Sequence, residues 1–194
     1  LGVLLLSMSQ AFSAAKEAAG DWPQWRGPNR DGKSADTGLL KEWPAEGPKL
    51  LWKNEAIGAG FSNVAVVKDT IYTTGDTNGK LVLLALDMEG KTKWQVEVGA
   101  ACEAGGHKGA RSTPTIDGSL AYIISGECVI SCLETAKGEK KWSRQMSEFG
   151  GRPHNWGFAE SVLIHGDQAI VTPGGPKCIV ALDKKSGKDV WASS

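Results

Sequence analysis

The stretch Cys178 to Trp191, C-I-V-A-L-D-K-K-S-G-K-D-V-W, constrains the fold most, because the chain carries its pattern three times. Each copy is an apolar run, an acidic residue, a Gly-containing turn and a tryptophan. The first runs from Val82 to Trp94, with Asp87 and Gly90-Lys91. The second runs from Val129 to Trp142, with Glu134 and Gly138. The third has Asp183 and Gly187-Lys188 before Trp191. The three tryptophans are spaced 48 and 49 residues apart. A fixed period of this length marks a solenoid, propeller or array.

The other half of each unit aligns as well. Ser62 to Val66, Ser112 to Ile116 and Glu160 to Ile164 each lead into a second apolar run and then a glycine: Gly75, Gly126 or Gly174. One unit therefore reads as four short strands separated by Gly, Asp and Asn, with the last strand ending near the tryptophan. Four strands per repeat at this period is a propeller blade. No stretch keeps a helical period over a useful length. Pro114 lies in the first strand of its unit, where an edge position lining the channel tolerates a missing N–H. The expected fold class is all-β, a β-propeller of four-stranded blades, present as an arc of about three blades. A ring of seven or eight units needs roughly 340–390 residues, so the sequence reads as a fragment of a larger ring with open blade edges.

The N-terminal region divides in two. Residues 1–15, a short apolar run followed by small residues, read as the end of a secretory signal peptide cleaved near Ala14 or Ala15, too short to span a bilayer. Residues 16–48 form an arm, and residues 49–194 carry the repeats. Within the arm, Asp21 to Gly32 has two prolines and two glycines, which forbid a regular helix. Its Trp22 and Trp25 have two readings: wedges against a blade with Arg26 stacked on a ring, or an aromatic platform for a sugar or quinone. Lys49 to Trp52 resembles the last strand of a blade, with Trp52 in the repeat-tryptophan slot.

Charge narrows the partners. Lys plus Arg equals Asp plus Glu at 22 each, so a neutral chain carries no electrostatic footprint for nucleic acid. No basic amphipathic segment points to a membrane surface. An exported protein, periplasmic or secreted, fits these features.

The motif Ala-x-Asp-x-x-x-Gly-Lys-x-x-Trp, as in Ala181 to Trp191, resembles the tryptophan-docking repeat of pyrroloquinoline-quinone (PQQ)-type propellers. Trp22 to Pro28, Gly109 to Thr115, Phe149 to Ser161 and Val171 to Gly175 are similar to bacterial PQQ-like β-propeller repeat proteins. Relatives of that family include quinoprotein alcohol dehydrogenases and the propeller scaffold of outer-membrane assembly. The resemblance implies that Trp52, Trp94, Trp142 and Trp191 are structural. Each indole packs between blades and donates its N–H to a backbone carbonyl. The turn glycine supplies a positive φ, and the acidic residue accepts turn amides.

The dehydrogenases of the family imply PQQ with calcium, a catalytic Asp and often a disulfide of adjacent cysteines. The sequence has no Cys-Cys pair, and no catalytic Asp can be placed. The leading expectation is thus a binding or interaction scaffold holding an unknown ligand or protein partner at the propeller mouth. A PQQ-dependent alcohol or sugar dehydrogenase and a carbohydrate-binding module are the alternatives. No metal site is expected on the three scattered histidines, His107, His154 and His165. Cys132 and Cys178 fall in core slots; a disulfide, if one forms, joins Cys102 to Cys128.

Ligands of propellers commonly bind where first strands begin. The candidate site residues there are Ser62, Arg111, Ser112, His154, Trp156 and Glu160. Ser62, Ser112 and Glu160 share one repeat slot and are expected to face a common axis. Arg111 and Glu160 either present polar anchors to a ligand or neutralise each other across neighbouring blades.

Overall fold

A computed structural model of the chain describes residues 20–153 and 155–193. Residues 1–15 and His154 thus lie outside the described residues. Among the described residues, twelve strands form three antiparallel four-stranded sheets, each a simple meander. The first blade holds β1 (Ala65–Val67), β2 (Thr70–Thr77), β3 (Lys80–Leu86) and β4 (Thr92–Ala100). The second holds β5 (Thr115–Asp117), β6 (Leu120–Ile124), β7 (Val129–Glu134) and β8 (Lys140–Gln145). The third holds β9 (Leu163–His165), β10 (Gln168–Val171), β11 (Val180–Asp183) and β12 (Asp189–Ala192). This is an all-β partial propeller. The only helical turns among the described residues are short 3-10 segments at Ala104–Gly106 and Met146–Phe149. No helix there is long and apolar enough to cross a membrane.

The core lies between blades, and the middle sheet is covered on both faces. In β6, Ala121 and Ile123 pack toward the first blade with Tyr72, Leu83 and Ala85. Tyr122 and Ile124, on the opposite face, pack toward the third blade with Ala169, Val171 and Leu182. Period-two alternation thus assigns each residue to one of two interfaces. Burial of both faces explains why these strands read as nearly unbroken apolar runs.

Each blade repeats one irregularity. The third and fourth strands slip register after Ala85, Cys132 and Ala181, which stand opposite Trp94, Trp142 and Trp191. A small residue at that slot leaves room for the indole across the ladder, and all three are fully buried. The tryptophan is the third residue of the last strand in each blade; β12 ends one residue after it, as expected, whereas β4 and β8 run on further. The strand starts as soon as the Gly turn closes and continues beyond the indole. Pro114 immediately precedes β5, at the channel edge.

The tryptophan contacts form a relay. Trp52 Nε1 donates to Met88 O (2.8 Å), Trp94 Nε1 to Thr135 O (3.0 Å) and Trp142 Nε1 to Lys184 O (3.0 Å). Each of these rings lies flat on the turn glycine of the following blade. A Cβ built on Gly90, Gly138 or Gly187 falls 2.5, 2.7 or 2.7 Å from the ring of Trp52, Trp94 or Trp142. The same glycines have φ between 70° and 78°, so two constraints select Gly there. Asp87 and Asp183 close their turns by accepting backbone amides of Lys91 and Ser186. Trp191 differs, since its indole donates to Gln168 Oε1 within its own blade.

Two expectations need correction. Lys49 to Trp52 forms no strand, although Trp52 keeps the docking contact. No strand among the described residues lies alongside that backbone to form a ladder with it. Cys178 is exposed rather than core, because β11 begins two residues later at Val180 and its thiol faces Ser193 Oγ. All four cysteines are free thiols, including Cys102 and Cys128.

Candidate functional site

The arm determines the shape of the channel. Trp22 pairs with Val66 through two backbone hydrogen bonds of 2.6 and 2.9 Å, covering the inner edge of β1. The next residue, Pro23, offers its carbonyl to Ile116 N of β5 (2.7 Å). Arg30 Nη2 reaches Ile164 O of β9 (3.2 Å). The segment therefore crosses the inner strands of all three blades, meeting each at its middle residue. Prolines and a missing side-chain period suit it to this irregular path. Trp22 packs flat on Gly27, where an added Cβ meets its ring at 2.7 Å. Arg26 lies 5.4 Å from the centroid of the Trp25 ring.

Above this crossing lies a cavity of roughly 400 Å³. The arm contributes Gln24, Trp25 and Arg30 to its wall, and the inner strands with the segments leading into them contribute Asn63, Thr113, Thr115, Ala159 and Ser161 to Leu163. Phe61, Arg111 and Glu160 complete it. Arg111 and Glu160, expected at one mouth, line this one cavity. Ser62 and Ser112 do not line it. Ser62 donates to Asn63 O, while the Ser112 hydroxyl is buried without a partner. The slot one residue later lines the cavity in every repeat, as Asn63, Thr113 and Ser161, whereas of the first slot only Glu160 does. Successive side chains of an extended strand face opposite ways, so the repeat alignment was sufficient to find both slots and not to choose between them. These residues also link the blades, since Asn63 N donates to Thr113 Oγ1 and Thr113 N to Ser161 Oγ, each at 3.2 Å.

Arg111 and Glu160 are each held by their own surroundings. Arg111 Nη2 donates to Ala104 O (2.9 Å) and also to His107 O, and Nε donates to Cys102 Sγ (3.3 Å). Its guanidinium carbon sits 5.7 Å from the Phe61 ring centroid. Glu160 accepts from the Thr172 amide (2.8 Å) and from the Thr172 hydroxyl. Among the ion pairs of the described residues, none joins Arg111 to Glu160. Both charges are thus positioned without neutralising each other.

Behind Arg111, Asp76 Oδ2 accepts from Cys102 N (2.8 Å), and Oδ1 is buried without a partner. Burial pushes the Asp76 carboxyl above its ordinary range, against the Cys102 amide and the Arg111 charge. This cluster fixes the loop that carries His107. Trp156, which lies outside the cavity, is 59% exposed and stacks on His107 at 6.3 Å with a 15° tilt. His107 in turn meets Phe61 edge-on at 6.4 Å. An aromatic row therefore leads from the cavity rim across the mouth.

A family model described as outer membrane protein assembly factor BamB, a PQQ-like repeat family, matches residues 36–194. The chain belongs to this family. Among solved structures, this PQQ-like propeller is similar to the quinohemoprotein alcohol dehydrogenase of Comamonas testosteroni. The TM-score is 0.68 and the identity 16%, over 92% of this chain and 28% of that one. A quinohemoprotein alcohol dehydrogenase of Pseudomonas putida HK5 matches with TM-score 0.50 and 15% identity, over 73% of this chain and 21% of that one. BamB from Moraxella catarrhalis gives TM-score 0.45 and 15% identity, over 78% and 57% of the two chains. No curated protein matches. The PQQ-like propeller thus spans about a quarter of the dehydrogenases it resembles, and at these identities the likeness is one of fold.

A calcium-held quinone can be tested against the residues present. Calcium takes six to eight oxygen ligands, typically several from carboxylates. Among the described residues the cavity wall offers a single carboxylate, Glu160. No group of three or more His, Cys, Asp or Glu able to hold a metal occurs among the described residues. These residues do not fit the quinone-calcium set.

Proposed function

We propose that the chain is a binding domain of an exported PQQ-like propeller, a scaffold that holds a ligand or protein partner at the channel mouth. One observation carries this reading: a cavity floored by the arm and walled by inner strands presents fixed, unneutralised Arg111 and Glu160 beside an exposed aromatic row. Such a constellation has the features of a recognition site, which are a concave wall, a few placed polar groups and aromatic surface. Among the described residues, none at this site pairs a nucleophile with a base, as covalent catalysis requires. Export rests on the signal-like residues 1–15, the arm on residues 16–48 and the repeats on residues 49–194.

The test places a photo-crosslinking phenylalanine analogue at position 61 of the intact protein in its native host. The expected result is a discrete adduct that is absent when the same analogue replaces Lys140, on the outer strand. Equal labelling from both positions, or none from position 61, would count against a protein partner at the mouth.

A further inference from the structure

The composition of the cavity wall narrows what it can receive. Arg30 and Arg111 present cations and Glu160 an anion, and Arg111 and Glu160 are not paired with each other. An anionic ligand would meet Glu160, a cationic one the two arginines, and a purely apolar one would strip water from these charges without replacing their hydrogen bonds. A neutral ligand with many hydroxyl groups satisfies both, because each hydroxyl donates to a carboxylate and accepts from a guanidinium. Asn63 and Thr113 add a further amide and hydroxyl on the same wall. Two aromatic side chains complete it, Trp25 at 50% and Phe61 at 63% exposure. Their rings offer apolar surface to the C–H face of a sugar ring. The volume of roughly 400 Å³ accommodates one or two such rings.

We infer that this cavity binds a neutral saccharide, with its ring against Phe61 and Trp25 and its hydroxyls on Arg111, Glu160, Asn63 and Thr113. The inference rests on the channel mouth being a binding site and names its ligand class. A site of this size, open to water, holds a single sugar unit in the millimolar range, on the order of 1 mM.

The experiment is saturation-transfer NMR on the intact protein with a panel of neutral hexoses and their disaccharides, and with acetate and tetramethylammonium as charged probes. At least one sugar is expected to show saturable transfer, and neither charged probe to do so. Phe61→Ala and Glu160→Gln should each weaken that sugar at least tenfold, while Lys140→Ala leaves it within twofold. If Phe61→Ala lowers the melting temperature, Trp25→Ala carries the same test. Absence of transfer from every sugar overturns the inference. So does sugar binding insensitive to these cavity variants, or acetate binding more tightly than any sugar. A position-61 adduct without sugar binding would sink the saccharide and leave the binding mouth; sugar binding without an adduct would sink the protein partner.

Discussion

Trp142 and Gly187 should act as one unit, and a double-mutant cycle can measure that. Trp142 packs on the core between the second and third blades, tilts against Tyr122 at 6.2 Å and donates to Lys184 O. Tryptophan truncations in cores cost about 3–5 kcal/mol. Trp142 is only partly buried, so Trp142→Ala belongs at the low end, about 3 kcal/mol. Gly187→Ala has two separate costs. Its φ of 70° imposes about 1 kcal/mol on an L-residue. Its Cβ would meet the Trp142 ring at 2.7 Å, and overpacking of that kind costs about 1–3 kcal/mol. The total is about 2–4 kcal/mol in the presence of the indole. With Ala at 142 the clash disappears and only about 1 kcal/mol remains. Urea unfolding of the four proteins should therefore give a coupling of about 1–3 kcal/mol. Additivity within about 0.5 kcal/mol would refute the stacking of indole on turn glycine.

Three other outcomes follow from the same structure. Under native conditions a thiol reagent should label Cys178 quickly and the other three cysteines only after unfolding, because those three are buried; loss of reactive thiols without reductant would show a disulfide instead. Burial pushes the thiols of Cys128 and Cys132 up to about 11 and about 12 from 9.0, and burial also raises Tyr122. Stability from these groups is complete below pH 9 and falls between about pH 9 and 12, as the unfolded thiols ionise first; Cys132→Ala should flatten that fall in an alkaline melting series. Protein recovered from the periplasm or medium should begin at Ala15 or Lys16 on N-terminal sequencing, and an uncleaved start would remove the basis for export.

The blades were legible because each repeat states its packing locally. An acidic residue, a glycine and a tryptophan at fixed spacing encode a turn, a docking surface and the ring that covers it. Cys132 was legible for the same reason, since it occupies the slot of Ala85 and Ala181. Cys178 was not, because slot comparison assumes that every strand starts at the same place, and β11 starts late. The route of the arm was also hidden. Trp22 to Val66 and Pro23 to Ile116 are backbone contacts over long separations, and backbone groups carry no sequence signal. The site was half visible. Repeat alignment found the inner strands, Arg111 and Glu160, but the inward slot of Asn63, Thr113 and Ser161 depends on strand rotation. Arg26 stacks over Trp25 as the wedge reading expects, and Trp25 also lies at the cavity wall.

The central claim is that this propeller binds at its mouth rather than turning over a quinone. Incubating the intact protein with PQQ and calcium, desalting it, and measuring retained quinone absorbance together with dye-linked alcohol and glucose oxidation tests it most directly. The account predicts no quinone retained and no dye reduced, since Glu160 is the single carboxylate that the described residues bring to the cavity wall. One quinone per chain with substrate-dependent dye reduction would contradict it.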